Sequence, residues 1–191
     1  MKNFFALMFV VLVSACSTTG DVVLQRADNL SERPSWASDT VSYFEKDGRA
    51  NFIGTMSVDG GSSTSWLCMA ASNVTKKSVS SLVKQKLDFV TQVAQEDMNL
   101  GVNQMKYIGT EASNTVLSNL NRDGCYWEKV LTQKDTNSKS VEYRAFVKMS
   151  IPVDELKQAI RSAGAKKGLS QEFSKQVDQR WNEVLEIKRE E

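Results

Sequence analysis

Val141-Glu142-Tyr143-Arg144-Ala145-Phe146-Val147-Lys148-Met149-Ser150-Ile151 alternates apolar and polar side chains almost without a break. Val141, Tyr143, Ala145, Val147, Met149 and Ile151 fall on one side at a period of two; Glu142, Arg144, Lys148 and Ser150 fall on the other. Successive side chains of a strand point to opposite faces, so the pattern specifies a strand in a sheet with one buried face. Upstream, Tyr126 to Leu131 reads as a second strand. The stretch 132–140, rich in Asp, Asn, Ser and Lys, joins the two as a hairpin loop. Asn51 to Val58 supplies a third strand, with Phe52, Gly54, Met56 and Val58 on one side. A glycine in mid-strand implies a bulge or the close approach of a helix.

Between these strands the period changes. From about Ser65 to Met98, Leu67, Ala70, Ala71 and Val74 form one apolar stripe, followed by Val79, Val83, Leu87, Val90 and Ala94 at helical spacing. A break is expected near residues 75–78, and Lys76, Lys77, Lys84 and Lys86 are assigned to the solvated side. Val102 to Leu120 is a second, weaker helix, closed by Asn121-Arg122-Asp123-Gly124. Pro152 stops the last strand, and Asp154 and Glu155 suit the first turn of the helix that follows. Gly164 and Gly168 interrupt that helix before a final amphipathic one carrying Phe173, Val177, Trp181 and Val184. The fold class is therefore α+β: a small, antiparallel-rich, three-stranded sheet covered by helices on one face, with a late β-hairpin and a C-terminal amphipathic helix. The final stripe packs within the fold or against a copy of itself. If the chain assembles, Phe173, Val177 and Trp181 are the expected contact. A short sheet with two edges and an open face is also a surface for self-assembly.

Charge and composition narrow the chemistry. Of 191 residues, 24 are Lys or Arg and 23 are Asp or Glu. Binding to nucleic acid needs clustered positive charge, so a polyanion partner is not expected. There is no histidine, which removes the usual general base and the commonest metal ligand. Neither a Ser-His-Asp triad nor a Cys-His pair can be built, and no enzyme activity, cofactor or metal is expected. Ser81-Leu82-Val83-Lys84 matches Ser-x-x-Lys, but the companion Ser-Asp-Asn and Lys-Thr-Gly elements are missing; a solvated helix face accounts for these residues.

The amino terminus carries the most specific signal. Lys2 precedes an apolar run from Phe4 to Val13, then Ser14-Ala15-Cys16 and the polar Ser17-Thr18-Thr19-Gly20. Ten helical residues rise about 15 Å, half a hydrocarbon core, so the run is the apolar part of a secretory leader and not a spanning helix. Small residues ending in Cys resemble a bacterial lipobox. That resemblance implies a diacylglycerol thioether on Cys16, cleavage before it and acylation of the new amino group. Several acyl chains together anchor a protein firmly, where one is marginal. By analogy with enterobacterial lipoproteins, Ser17 after the lipidated cysteine implies sorting to the outer membrane. The expected organisation is a leader at 1–15, a lipidated tether at 16–33, an α+β domain at 34–164 and an amphipathic helix at 165–191. Fully extended, Ser17 to Arg33 spans about 60 Å, and Arg33-Pro34-Ser35-Trp36 marks the start of the domain.

Cys68 and Cys125 remain. In an oxidising periplasm they form a structural disulfide or stay as two buried free thiols. Neither lies in a Cys-x-x-Cys motif.

Taken with the lipobox, Arg33-Pro34-Ser35-Trp36, the strand Phe52-Ile53-Gly54, the long helix and the late hairpin, the chain resembles the twenty-kilodalton bacterial surface lipoprotein family. That family is similar to the flagellar outer-membrane lipoprotein FlgP and the amino-terminal domain of the flagellar protein FlgT. The resemblance implies a non-catalytic domain on a lipid tether, facing the periplasm from the outer membrane and serving as a structural or assembly subunit of a flagellar or other envelope complex. Its partners would be the membrane, a copy of itself or an envelope protein. The cysteine pair and the C-terminal helix depart from the family pattern. The alternative is a lipid-tethered binding module for a small apolar ligand or peptidoglycan, marked by an apolar pocket walled by Trp66, Phe89 and Trp127.

Overall fold

The alternating segment forms the middle strand of a five-stranded antiparallel sheet. A computed structural model of the chain describes residues 21–40, 42–60, 63–98, 101–133, 138–169 and 171–181, without the side chains of 89–98 and 180. Its elements are β1 (Val22–Arg26), β2 (Tyr43–Lys46), β3 (Arg49–Asp59), α1 (Thr64–Met98), α2 (Val102–Asn119), β4 (Asn121–Gln133), β5 (Lys139–Pro152), α3 (Val153–Lys166) and α4 (Gln171–Arg180). The sheet runs β1-β4-β5-β3-β2.

The α+β class stands, and the three-stranded count is corrected to five. Both additional strands are edges. β2 folds back on β3 through Asp47-Gly48, with Lys46 opposite Arg49. Their φ values of 52° and 70° form the left-handed pair that a two-residue type I′ hairpin requires. β1 lies inside the stretch expected as a tether. It pairs with β4, Val22 opposite Leu131 and Arg26 opposite Glu128, with a bulge between Val23 and Gln25.

α1 runs for 35 residues with no break at 75–78. The hydroxyls of Ser72, Thr75 and Ser78 donate to the carbonyls of Cys68, Ala71 and Val74, four residues back. Polar side chains that would otherwise compete for the backbone are thus absorbed by the helix itself. The helix crosses β3 at Gly54, where an added Cβ would lie 2.1 Å from Thr75 Oγ1 and 2.7 Å from the Ala71 carbonyl oxygen. Of the two roles open to that glycine, close helix approach is the one it plays.

Between the helices and the sheet lies the main core, with Phe52, Val83, Leu87, Ile108, Val116, Ile151 and Ile160 all buried. Phe173, Val177 and Trp181 belong to the same core, at 1%, 0% and 2% exposure. The expectation of an assembly surface on these three is therefore corrected: α4 turns its stripe inward. Burying such side chains stabilises the fold by about 1.5–3 kcal/mol each, more than an exposed stripe awaiting a partner could contribute.

The opposite face is also partly covered, against the reading of one buried face. Phe146, the apolar exception on the polar side of the alternating segment, is fully buried with Tyr126, Ala27 and Ala37. The chain from Ala27 to Ala37 crosses this face as a strap. Trp36 of the strap packs against the same cluster, and the Arg33 guanidinium sits 4.8 Å from the Phe146 ring centroid.

Candidate functional site

Cys16 and the expected leader at 1–15 lie outside the described residues. Asp21, five positions after Cys16, already belongs to the fold: its carboxylate pairs with Arg144 of β5 at 2.7 Å. Arg144 also donates to Glu142 at 2.9 Å, a bond that holds the Glu142 carboxyl below its ordinary value. β1 follows immediately. Six residues reach at most about 22 Å, so an anchor at Cys16 would hold the sheet about three times closer than the expected tether. On this edge Val22, Leu24 and Leu30 are 55%, 49% and 44% exposed. Leu24 and Leu30, with Val23, Gln25, Arg26 and Asn29, line a surface cavity of about 250 Å³.

Cys68 of α1 and Cys125 of β4 are bonded, with Cα atoms 5.9 Å apart, so of the two alternatives the structure takes the disulfide. Beside the bridge is a polar cavity of about 340 Å³ to which Asp28, Thr64, Ser65, Arg122 and Trp127 contribute. Trp66 is exposed and not among its lining residues, and the side chain of Phe89 lies outside the described residues. The apolar pocket expected from Trp66, Phe89 and Trp127 is thus not found among the described residues; Trp127 serves a polar one. A more apolar cavity of about 300 Å³ lies between α1 and α2, lined by Leu87, Val102, Met105 and Gly109 together with Lys84, Asp88, Lys106 and Thr110. Gly109 lets the helices close there, since a Cβ would meet Leu87 Cδ2 at 3.1 Å. Ser81 and Lys84 are both exposed on α1, on the solvated face assigned to them.

Two buried polar clusters escape the sequence reading. Lys86, assigned to solvent, is 1% exposed. Its ammonium donates to the Trp181 carbonyl at 2.6 Å and lies 4.4 Å from the Trp181 ring centroid. Trp181 Nε1 donates to Glu45 Oε1 at 3.0 Å, and the Tyr43 hydroxyl donates to the same oxygen at 2.6 Å. Burial lowers the Lys86 pKa to about 8, with Glu45 opposing and Lys157 adding to the shift; burial and the bond to Glu45 raise that of Tyr43. The cluster ties α1 and β2 to the end of α4. Its signal was spacing: Lys86 follows Val83 by three residues and adjoins Leu87, so it borders the apolar stripe.

In the second cluster Glu128 of β4 is 1% exposed. It accepts two bonds from Arg33 and one at 2.9 Å from the Tyr126 hydroxyl. Arg33 also pairs with Asp39 at 2.7 Å. Burial and the bond to Glu128 push the Tyr126 pKa up to about 12. Glu128 and Tyr126 are shut away from solvent, so the arrangement clamps the strap to the sheet and presents no reacting group.

No family model matches the chain, and neither a curated protein nor a solved structure matches it significantly. Among the described residues, no helix is long and apolar enough to cross a membrane.

Proposed function

We propose that the chain is a non-catalytic outer-membrane lipoprotein, acylated on Cys16, whose domain acts in the periplasm as a structural or assembly subunit of a flagellar or other envelope complex. The observation that carries this reading is the order of Lys2, the apolar run Phe4 to Val13, Ser14-Ala15-Cys16 and a polar segment, followed within six residues by the first strand. A leader of this composition addresses the envelope, and a cysteine after small residues is the acceptor for acyl chains. Metabolic labelling with a palmitate analogue tests it. Label and membrane association are expected in the wild type and lost in Cys16→Ala; an unlabelled wild type would overturn the reading.

The assembly part is tested by size-exclusion chromatography with light scattering on protein starting at Ser17, with and without reductant. A discrete large oligomer supports a subunit. A monomer moves the second reading forward, a tethered module for a small apolar ligand, which the apolar cavity between α1 and α2 favours.

A further inference from the structure

We infer that the β1 edge makes a second, non-covalent contact with the membrane: Val22, Leu24 and Leu30 rest against the headgroup region of a zwitterionic bilayer. The inference rests on the lipoprotein reading, since acyl chains on Cys16 bring the edge there. Reach is the first argument. Val22 follows Cys16 by six residues, and their Cα atoms can separate by no more than about 22 Å. The Asp21–Arg144 ion pair fixes the point where this short link joins the sheet. β1 is therefore the first element the anchor's link enters, and β2 lies four strand spacings away, about 19 Å across the sheet.

Exposure is the second argument. Leu24 and Leu30 line one surface cavity, Val22 stands two residues away on the same edge, and all three are about half exposed. A second copy of the chain fits this edge poorly. Sheet extension needs a regular ladder, and the bulge between Val23 and Gln25 interrupts it within a five-residue strand. An interfacial lipid contact needs no ladder. Charge selects the lipid. From Asp21 to Glu32 the acids are Asp21, Asp28 and Glu32 and the only base is Arg26, whose guanidinium donates to the Ser31 carbonyl at 2.8 Å. A segment with excess acid is not drawn to anionic lipid, so the contact is apolar and a neutral headgroup suits it.

The test uses the full acylated protein in phosphatidylcholine vesicles. Single substitutions Leu24→Cys, Leu30→Cys and, on the far edge, Lys46→Cys carry an environment-sensitive fluorophore; Cys16 is blocked by its acyl group and the other cysteines by the disulfide. Headgroup-proximal spin-labelled lipid is expected to quench at 24 and 30 at least about threefold more than at 46. Inserting twelve Gly/Ser residues after Ser17 triples the link and should lower the contact population about fivefold, because effective concentration falls as the −3/2 power of length. Equal, weak quenching at all three sites, with acylation verified by mass spectrometry, overturns the membrane contact and leaves the lipoprotein reading intact. Absence of acylation on Cys16 overturns both. A blue shift at 24 in unacylated protein that grows with protein concentration reports a second copy on the edge, and overturns the lipid contact.

Discussion

At Gly54, one missing methyl decides how closely α1 can lie on β3. A Cβ there would meet Thr75 Oγ1 at 2.1 Å and, at 2.7 Å, the Ala71 carbonyl oxygen and the Thr75 nitrogen. Two of those three atoms are backbone, so no rotamer change relieves the collision. Gly54→Ala is expected to cost about 3 kcal/mol in urea unfolding, and adding Thr75→Ala should restore little of it. Full recovery in the double variant would show that the hydroxyl alone sets the distance. Lys86 offers a different test, because its folded-state pKa of about 8 lies below the ordinary 10.5. The unfolded chain then binds more protons than the native one between those values, so stability rises as pH rises from about 8 to 10. Above about 10 the sign reverses, since Tyr43 and Tyr126, whose phenol pKa values are raised by burial, ionise first in the unfolded chain. Lys86→Met should remove the rise and keep the fall; an unchanged urea-midpoint profile between pH 8 and 10 would exclude Lys86 as its source.

Among the elements, the strap from Ala27 to Ala37 is held by apolar contacts with Tyr126 and Phe146 and by the Arg33–Glu128 ion pair. Arg33→Ala would strip the Glu128 carboxylate, 1% exposed, of its guanidinium partner while the Tyr126 hydroxyl still donates to it. Breaking a fully buried pair costs about 3–5 kcal/mol; with the Arg33 side chain 30% exposed, about 2–3 kcal/mol is expected. Arg33→Met with Glu128→Leu removes both charges and should recover most of the loss, whereas a double variant as weak as the single would mean that the strap is held by shape. The strap also explains an error of reading. Phe146 breaks the alternation of β5 on its polar side, a local sign that this face has a cover, but nothing local says that residues some hundred positions earlier supply it. β2 went unread, although Asp47-Gly48 carries the Asp-Gly signal of a two-residue turn. β1 carries no such signal. Three apolar residues with a bulge have no period to detect, and they become a strand only through pairing with distant β4. Helices carried by long stripes, α1 and α2, fall close to their expected bounds because many residues repeat the same evidence.

For the molecule as a whole, the inward turn of α4 was not legible, because an amphipathic stripe has the same letters whether it faces its own core or a partner. Phe173 shows what decides it: the ring lies where a Cβ on Gly164 would be 2.4 Å from its Cε1, so α3 carries a notch for α4 that only the packed structure reveals. The disulfide acts at this same scale. It joins the start of α1 to β4 across a sequence separation of 57, and closing such a loop in the unfolded chain contributes about 4 kcal/mol by the chain-entropy account. For a domain of this size each kcal/mol moves the thermal midpoint by about 2–4 °C, so reduction should lower it by about 8–16 °C, and Cys68→Ala with Cys125→Ala should match the reduced wild type. Native domains hold about 5–15 kcal/mol in total, which makes the bridge a large share, and such dependence would accord with the oxidising periplasm of the proposed function. A midpoint unchanged by reductant, with two titratable thiols, would mean that α1 and β4 are held by packing alone, and would remove the redox reason for placing the domain in the periplasm while leaving the leader's argument untouched.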